Sequence, residues 1–518
     1  NLFDMEEALL LASAFLKDKQ TRIIVKKNRY HAQQLYQRLA PLLEDVLLLV
    51  MEDSLRVQAI AASPEDKEDM LSSLYACVSE DKPRIIICNT AAFVRYLPDI
   101  QRFKEGCFSL SVNQEIDMDQ LLEKLHRSGY GHLQYVQRPC TYAKRGGIID
   151  IFSLSYPHPI RIEFFDTIIE SIRTFDVQTQ RTLQHIDHVD IAPATDILFT
   201  DEQLSSISQQ VLERLEKEKK KCREEEAERL QDHIEADLQA LESYDIQPHL
   251  YWYYAYTTTN SILDYVKGQV ILSSEEEIQR AKKEITEESI TFIQDMVTDH
   301  QALPKYTMYH DLDQMKKKAS FQTFHEFLSF DHPITSNIFP LERATSSLFE
   351  QLQAIDAQKV YFAVSEEVQN KIQILEDQLD FQYSFIEPDF YEGFQTQSFA
   401  VVTEKELLVK SEVRARYKTT FQQAQVLESV LELEKGDYVV HEENGIGQYV
   451  GIDTRENNGQ IQDYLLILYA GNAQLRVPLS QFQLVRKYSS KEGASVRLSS
   501  MDGKAWKKTK EKVNQLYI

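Results

Sequence analysis

The chain has 518 residues and a formal net charge of −24, with 43% apolar and 27% charged residues. That length fits roughly three to five soluble domains, and the acidic balance excludes a nucleic-acid footprint spread over the surface, because polyanion binding draws on Lys and Arg. Five scattered cysteines (Cys77, Cys88, Cys107, Cys140, Cys222) with no CxxC pair exclude a disulfide framework and a zinc site, and no apolar run approaches the ~18 residues that span a bilayer, so a cytoplasmic protein without membrane contact is expected.

The first hundred residues alternate strand and helix. Ile23–Val25, Val46–Val50 and Arg84–Cys88 read as short buried strands, and His31–Leu43, Asp66–Cys77 and Ala91–Leu97 as helices. This alternation predicts a parallel sheet covered on both faces. From Cys107 the pattern changes to α+β. Asp117 with Gln120 predicts a capping box opening a helix over Met118–Ser128, which stops at Gly129. Strands are expected at Leu133–Gln137, Gly147–Phe152, Ile160–Phe165 and Ile168–Phe175, the last two joined by a tight Asp166-Thr167 turn.

Residues 194 to about 330 are the least readable third. Gln203–Leu241 is one long helical pattern, and its charge run Lys217–Glu228 reads as a solvated face rather than a binding tail. Tyr251-Trp252-Tyr253-Tyr254 resembles a stacking platform for bases, but without interleaved Lys or Arg it reads as packing. Residues 331 to about 415 return to α/β, with helices Leu341–Ala354 and Ser365–Leu379 and strands Val360–Val364 and Phe399–Val402. Helix Thr419–Leu433 then leads into strands Tyr438–His441, Gly447–Ile452, Tyr464–Tyr469 and Leu475–Pro478, a small SH3-like barrel. Beyond it, Arg486–Lys512 holds nine Lys or Arg against three Asp or Glu, either a contact with DNA or the solvated start of a linking helix.

The segment Arg145–Phe175 is the most informative. On strand Ile160–Phe165 successive side chains point to opposite faces, so Ile160, Ile162 and Phe164 form one apolar row while Arg161, Glu163 and Phe165 form the other. A Phe on a charged face beside an Arg has the make-up of a docking hot spot. The plainer reading is that another element covers this face and Phe165 is ordinary core.

Here the residues carry a resemblance. Arg145-Gly146-Gly147-Ile148-Ile149-Asp150-Ile151-Phe152, Arg161-Ile162-Glu163-Phe164-Phe165-Asp166, Ser171-Ile172-Arg173-Thr174-Phe175-Asp176 and Gln180-Arg181 are similar in order and spacing to domain 2 of the UvrB and transcription-repair coupling factor (Mfd) families. The far end separates the two. Gly436-Asp437-Tyr438-Val439-Val440-His441, Gly445-Ile446-Gly447, Tyr449, Gly451-Ile452, Asp463-Tyr464 and Val477-Pro478 resemble the RNA-polymerase-interacting, CarD-like domain of the coupling factors, which UvrB lacks. The resemblance implies a multidomain α/β and α+β chain: residues 1–106 as domain 1a, a degenerate nucleotide-binding fold; 107–193 as domain 2; 194–330 as domain 1b; 331–415 as a small α/β domain 3; 416–433 as a linker helix; 434–490 as the barrel; and 491–518 as a basic linker toward a RecG-like motor that the chain lacks.

Catalytic chemistry is not expected. No G-x-x-x-x-G-K-[ST] sequence exists to cradle phosphate, and no DExH-type box accompanies it. Glu442-Glu443 has no His, Ser or Cys partner that singles it out for acid-base work, and the lone His441 reads as structural. No Tyr-rich DNA hairpin lies between Leu97 and Cys107, where UvrB inserts one. No cofactor is expected in this chain, ATP and magnesium belonging to the family's motor.

By resemblance, Arg145, Arg161 and Phe165 fall on positions that contact UvrA, with Arg173 a further candidate although its strand does not alternate cleanly. Arg145 also has a plainer role as anchor of the turn before Gly146-Gly147, and Cys140-Thr141 replaces a commoner Gly-Glu just upstream. CarD-like modules lay an edge strand against the β subunit of RNA polymerase. Tyr449, Val450, Gly451, Ile452, Asp453, Thr454 and Arg455 form the candidate strand here, with Arg455 standing where many relatives carry Leu. The resulting expectation is a monomeric adaptor binding UvrA and polymerase, with double-stranded DNA engaged mainly by the motor. The rivals are a UvrB-type damage-verifying ATPase and a CarD-like transcription regulator.

Overall fold

A computed structural model describes residues 4–55, 58, 64–328, 338–341, 347–355, 357–387, 390–408, 438–441, 445–457, 460–469, 473–478 and 485–487. It is a mixed α/β chain with several sheets, divided into two compact units. One spans residues 1–56 and 63–410, and the other residues 57–62 with 411–518.

The larger unit opens on a five-stranded parallel sheet in the order Phe321–Thr323, Gln269–Leu272, Arg22–Lys26, Ile85–Asn89, Val46–Leu49. Its central strands, RIIVK and IIICN, are buried along their whole length, as strands covered on both faces must be. Two of the five strands come from the third of the sequence that was least readable, where no strand was expected. Both are very short, and Gln269–Leu272 is positioned by Gly268, where a Cβ would stand 2.8 Å from the Thr21 carbonyl. The helix after the first strand runs Arg29–Leu39, capped by Asn28, and stops four residues short of expectation. Pro41 is the reason: Ala40 still donates to the Tyr36 carbonyl, but proline has no N–H to carry the i→i−4 ladder a residue further.

The long helical pattern at 203–241 is two helices, Asp201–Lys219 and Glu224–Glu242, rather than one. The break falls at Lys220–Arg223, where the Glu226 carboxylate accepts the Arg223 backbone N–H and starts the second helix afresh. The aromatic run lies in a 3₁₀ helix, Pro248–Tyr256, and is core. Tyr254 donates to the carbonyls of Asp196 and Leu198, Tyr253 to Asp237, and Tyr251 to the Met308 carbonyl. Those rings are not a platform for bases.

A six-stranded sheet follows the chain from residue 131 to 186, in the order Thr182–Ile186, Ile168–Phe175, Ile160–Phe165, Ile148–Phe152, Thr141–Arg145, Gly131–His132. Helix Met118–Arg127 covers one face. Asp117 caps it by accepting the N–H groups of Asp119 and Gln120, and Gly129, with φ +84°, ends it in the left-handed conformation. Leu121 and Leu125 pack on Ile149, Ile151, Ile160, Ile162, Ile169 and Ile172. The expected strand Leu133–Gln137 does not form. Only Gly131–His132 pairs, and the chain then bends through Pro139 and Cys140, whose φ is +61°. Two further short strands, Phe108–Ser111 and His188–Ile191, pair with each other at the base of this region.

Residues 338–408 build a further sheet, Phe339–Pro340, Phe394–Gln395, Ala400–Thr403, Lys359–Ala363, Gln382–Ile386. Its helices are Leu348–Gln353 and Glu366–Gln373, shorter than expected, and Gln382–Ile386 is a strand that the reading lacked. Phe394 and Val401 pack on Met5 of the first helix, Asp4–Asp18, and Arg38 meets Glu392 at 2.6 Å.

The second unit contains an antiparallel sheet, Gln474–Pro478, Gln460–Leu468, Gly445–Asn457, Tyr438–His441, Val485–Lys487. Val439, Tyr449, Leu465, Ile467, Tyr469, Val477 and Val485 form its core. The expected linker helix Thr419–Leu433 and the basic stretch after residue 487 lie outside the described residues. Among the described residues no helix is long and apolar enough to cross a membrane.

Candidate functional site

The face of the six-stranded sheet opposite helix Met118–Arg127 carries the four side chains singled out from the sequence. The hairpin joining Thr141–Arg145 to Ile148–Phe152 turns at Gly146-Gly147, with Gly146 in the left-handed region (φ +59°) that an L side chain rarely adopts. Register then sets Asp150 directly opposite Arg161, and Arg161 directly opposite Arg173. Four charged residues therefore share one surface with Arg145: Asp150, Arg161, Glu163 and Arg173.

Asp150 organises them. Its side chain is only 2% exposed, and it accepts Arg145 Nη2 at 2.5 Å, Arg161 Nε at 2.7 Å and Arg161 Nη2 at 2.9 Å. Arg161 also donates to Gln180 Oε1 at 2.8 Å, and its guanidinium lies 4.2 Å from the centre of the Phe175 ring. The Asp150 hydrogen bonds push the Arg161 pKa up. Arg145 lies over Tyr135, 5.1 Å from the ring centre. Arg173 gives both terminal nitrogens to Glu163, at 2.8 and 2.5 Å, and with Ser171 it holds that carboxyl below the usual range.

Phe165 projects from the end of this charged face at 73% exposure, with Ile168 beside it at 44%. Nothing among the described residues covers it, so the reading of Phe165 as core does not hold. The alternation argument places Arg161 and Phe165 correctly. It fails for Arg173 for an identifiable reason. A bulge at Glu170 shifts the register between Glu163↔Ser171 and Phe164↔Ile169, so the inward residues Ile169 and Ile172 stand three apart instead of two. Arg173 nonetheless ends on the same face as Arg161. Sequence reasoning overlooked Asp150, although the signal was present: a single acid between inward Ile149 and Ile151 must face outward, toward the arginines.

These features coincide with a family boundary. Residues 108–197 match the family described as the UvrB interaction domain, and residues 433–489 that described as the CarD-like/TRCF RID domain. Over 98% of its length the chain is similar to the transcription-repair-coupling factors of Staphylococcus aureus (strain bovine RF122 / ET3-1) and Staphylococcus epidermidis (strain RP62A), at 28% identity with each. The chain is thus similar to the transcription-repair-coupling factors along its length, and its two matched segments agree with that likeness. It spans about half the length of the curated relatives it matches, covering 46% of each.

In the part of the chain that matches the CarD-like/TRCF RID domain, strand Gly445–Asn457 holds all seven residues Tyr449–Arg455. From Gln448 to Asn457 one edge of the strand pairs with Gln460–Leu468, with a bulge at Val450. On the other edge pairing with Tyr438–His441 stops at Gln448, so beyond it that edge has no strand partner among the described residues. Tyr449 is core, 6% exposed, whereas Val450 stands at a bulge and is 38% exposed. The side chains of residues 451–455 lie outside the described residues. No group of three or more His, Cys, Asp or Glu among the described residues is placed to hold a metal ion.

Proposed function

We propose that this chain is the adaptor portion of a transcription-repair coupling factor. Domain 2, residues 107–193, docks UvrA through Arg145, Arg161 and Phe165, and the C-terminal β module tethers the β subunit of RNA polymerase. The observation that carries the reading is Phe165. A large apolar ring 73% exposed on an otherwise charged sheet face, within the segment that matches the UvrB interaction domain, is costly to leave in water and supports a protein partner.

The polymerase half is supported by the edge of strand Gly445–Asn457 that, past Gln448, has no strand partner among the described residues. Backbone donors and acceptors on such an edge accept an added strand, and Val450 contributes apolar contact beside it. In this reading the module closes as an SH3-like barrel, the chain acts as a monomer in the cytoplasm, and DNA is engaged by an ATP- and magnesium-dependent translocase elsewhere in the full-length family member. Retention of purified UvrA, and separately of the polymerase β subunit, by the immobilised 518-residue chain tests the two halves. Loss of UvrA retention on Arg161→Ala and Phe165→Ala is the expected result, and retention unaffected by both overturns the first half.

A further inference from the structure

We propose that Asp150 is a positioning residue of the UvrA-docking face. It holds Arg145 and Arg161 as one forked cationic pair that receives a carboxylate of the partner, while Phe165 and Ile168 receive apolar surface beside it. The inference rests on the docking reading above and deepens it by naming the residue that orders the arginines and the chemistry of the group they meet.

A carboxylate offers about four lone-pair directions, and three Asp150 bonds are made by two guanidinium groups. With its side chain 2% exposed, Asp150 is a fixed anchor rather than a mobile counter-ion. Both cations are held by a second contact, Arg161 on Phe175 and Gln180, Arg145 on Tyr135. Such preorganisation lowers the ordering cost of a later bidentate contact.

Charge matching then decides where the partner's acid goes. Arg173 is matched one to one by Glu163. Arg145 and Arg161 share one carboxylate, so this pair keeps a net positive charge. Arg145 is 35% exposed, and beyond its bond to Asp150 it makes no hydrogen bond among the described residues; Nε has no partner. The unmatched cation thus lies at the Arg145 end. Its hairpin sits against Phe164, whose N–H donates to the Gly147 carbonyl at 2.8 Å, which brings Arg145 and Phe165 to the same rim of the sheet. A carboxylate flanked by apolar surface complements that rim.

The test is the affinity of the 518-residue chain for UvrA, by isothermal calorimetry with circular dichroism as a folding control. We expect Phe165→Ala and Asp150→Asn each to weaken binding by about tenfold or more. In a chain already carrying Arg145→Ala and Arg161→Ala, Asp150→Asn should change affinity less than about twofold, since nothing remains to be positioned. Arg145→Lys keeps the charge but loses the fork, so it should also weaken binding by about tenfold; it serves as the test should Asp150→Asn fail to fold. No binding by the unaltered chain refutes the docking reading itself. Binding that is sensitive to Phe165→Ala but equal in Asp150→Asn and Arg145→Lys, or an Asp150→Asn loss that persists without the arginines, overturns this inference and leaves the docking reading standing.

Discussion

Asp150 and Arg161 face each other across adjacent strands, and the carboxylate takes the guanidinium through Nε at 2.7 Å and Nη2 at 2.9 Å. The same register that makes this pair puts Ile149, Ile151, Ile160 and Ile162 on the opposite, buried face. One strand pairing therefore builds both the domain core and its charged exterior, and substitutions on alternate residues should separate stability from binding.

That separation is sharpest between Ile162 and Phe165. Ile162→Ala removes a fully buried side chain and should destabilise the domain by about 2–5 kcal/mol. Phe165→Ala should leave the melting temperature within about 1 °C, because the ring contributes little to the core, yet cut UvrA affinity about 10- to 100-fold. Thermal denaturation and calorimetric titration of the two variants check the contrast.

A pH dependence should reside at Asp53, just beyond strand Val46–Leu49. Burial pushes its pKa up to about 7 against the partial relief of a 2.7 Å hydrogen bond from Asn89, with Glu52 adding repulsion and Arg29 opposing it. The folded state then holds a proton that the unfolded chain gives up near pH 4, so stability falls as pH rises from about 4 to 7 and levels off above that. The loss reaches about 4 kcal/mol at most. Asp53→Asn keeps the Oδ1 acceptor and should raise the melting temperature most at pH 8, less at pH 5 and not at pH 3.

Polymerase tethering should depend on Val450, which stands out where the strand edge, past Gln448, has no strand partner among the described residues. Val450→Asp should weaken capture of the polymerase β subunit by about tenfold while UvrA binding is unchanged. Equal capture by both proteins would move the tether elsewhere on the module.

Nucleotide turnover should be absent. At the carboxyl ends of the parallel strands, Lys26 Nζ meets both Glu7 oxygens at 2.6 Å and Arg29 meets Glu52 at 3.2 Å, so these cations are already neutralised by acids. A coupled ATPase assay on the purified chain should stay at background, and measurable hydrolysis would return the UvrB-type ATPase to consideration.

Much of the docking face was legible because a strand has a period of two. Ile160–Phe165 obeys it without interruption, so Arg161 and Phe165 could be assigned to a face from spacing alone. Arg173 could not, because the Glu170 bulge breaks the period and a bulge leaves no unambiguous mark in a single sequence. The same limit explains the strands at 269–272 and 321–323. A run of three or four residues has no periodicity to read, and each becomes a strand only because Arg22–Lys26 and its neighbours offer a parallel edge hundreds of residues away.

By itself the sequence determined which residues are apolar, which alternate, where helices are capped, and that Phe165 stands among charges; these are local properties, set by neighbours a few positions apart. Tertiary structure alone decided that Gln269–Leu272 and Phe321–Thr323 complete the parallel sheet, and that Asp150 lies between two arginines 5 and 11 positions away. The physical reason is that burial and ion pairing depend on strand register and packing between distant segments, and register is fixed only when the whole sheet closes on its core.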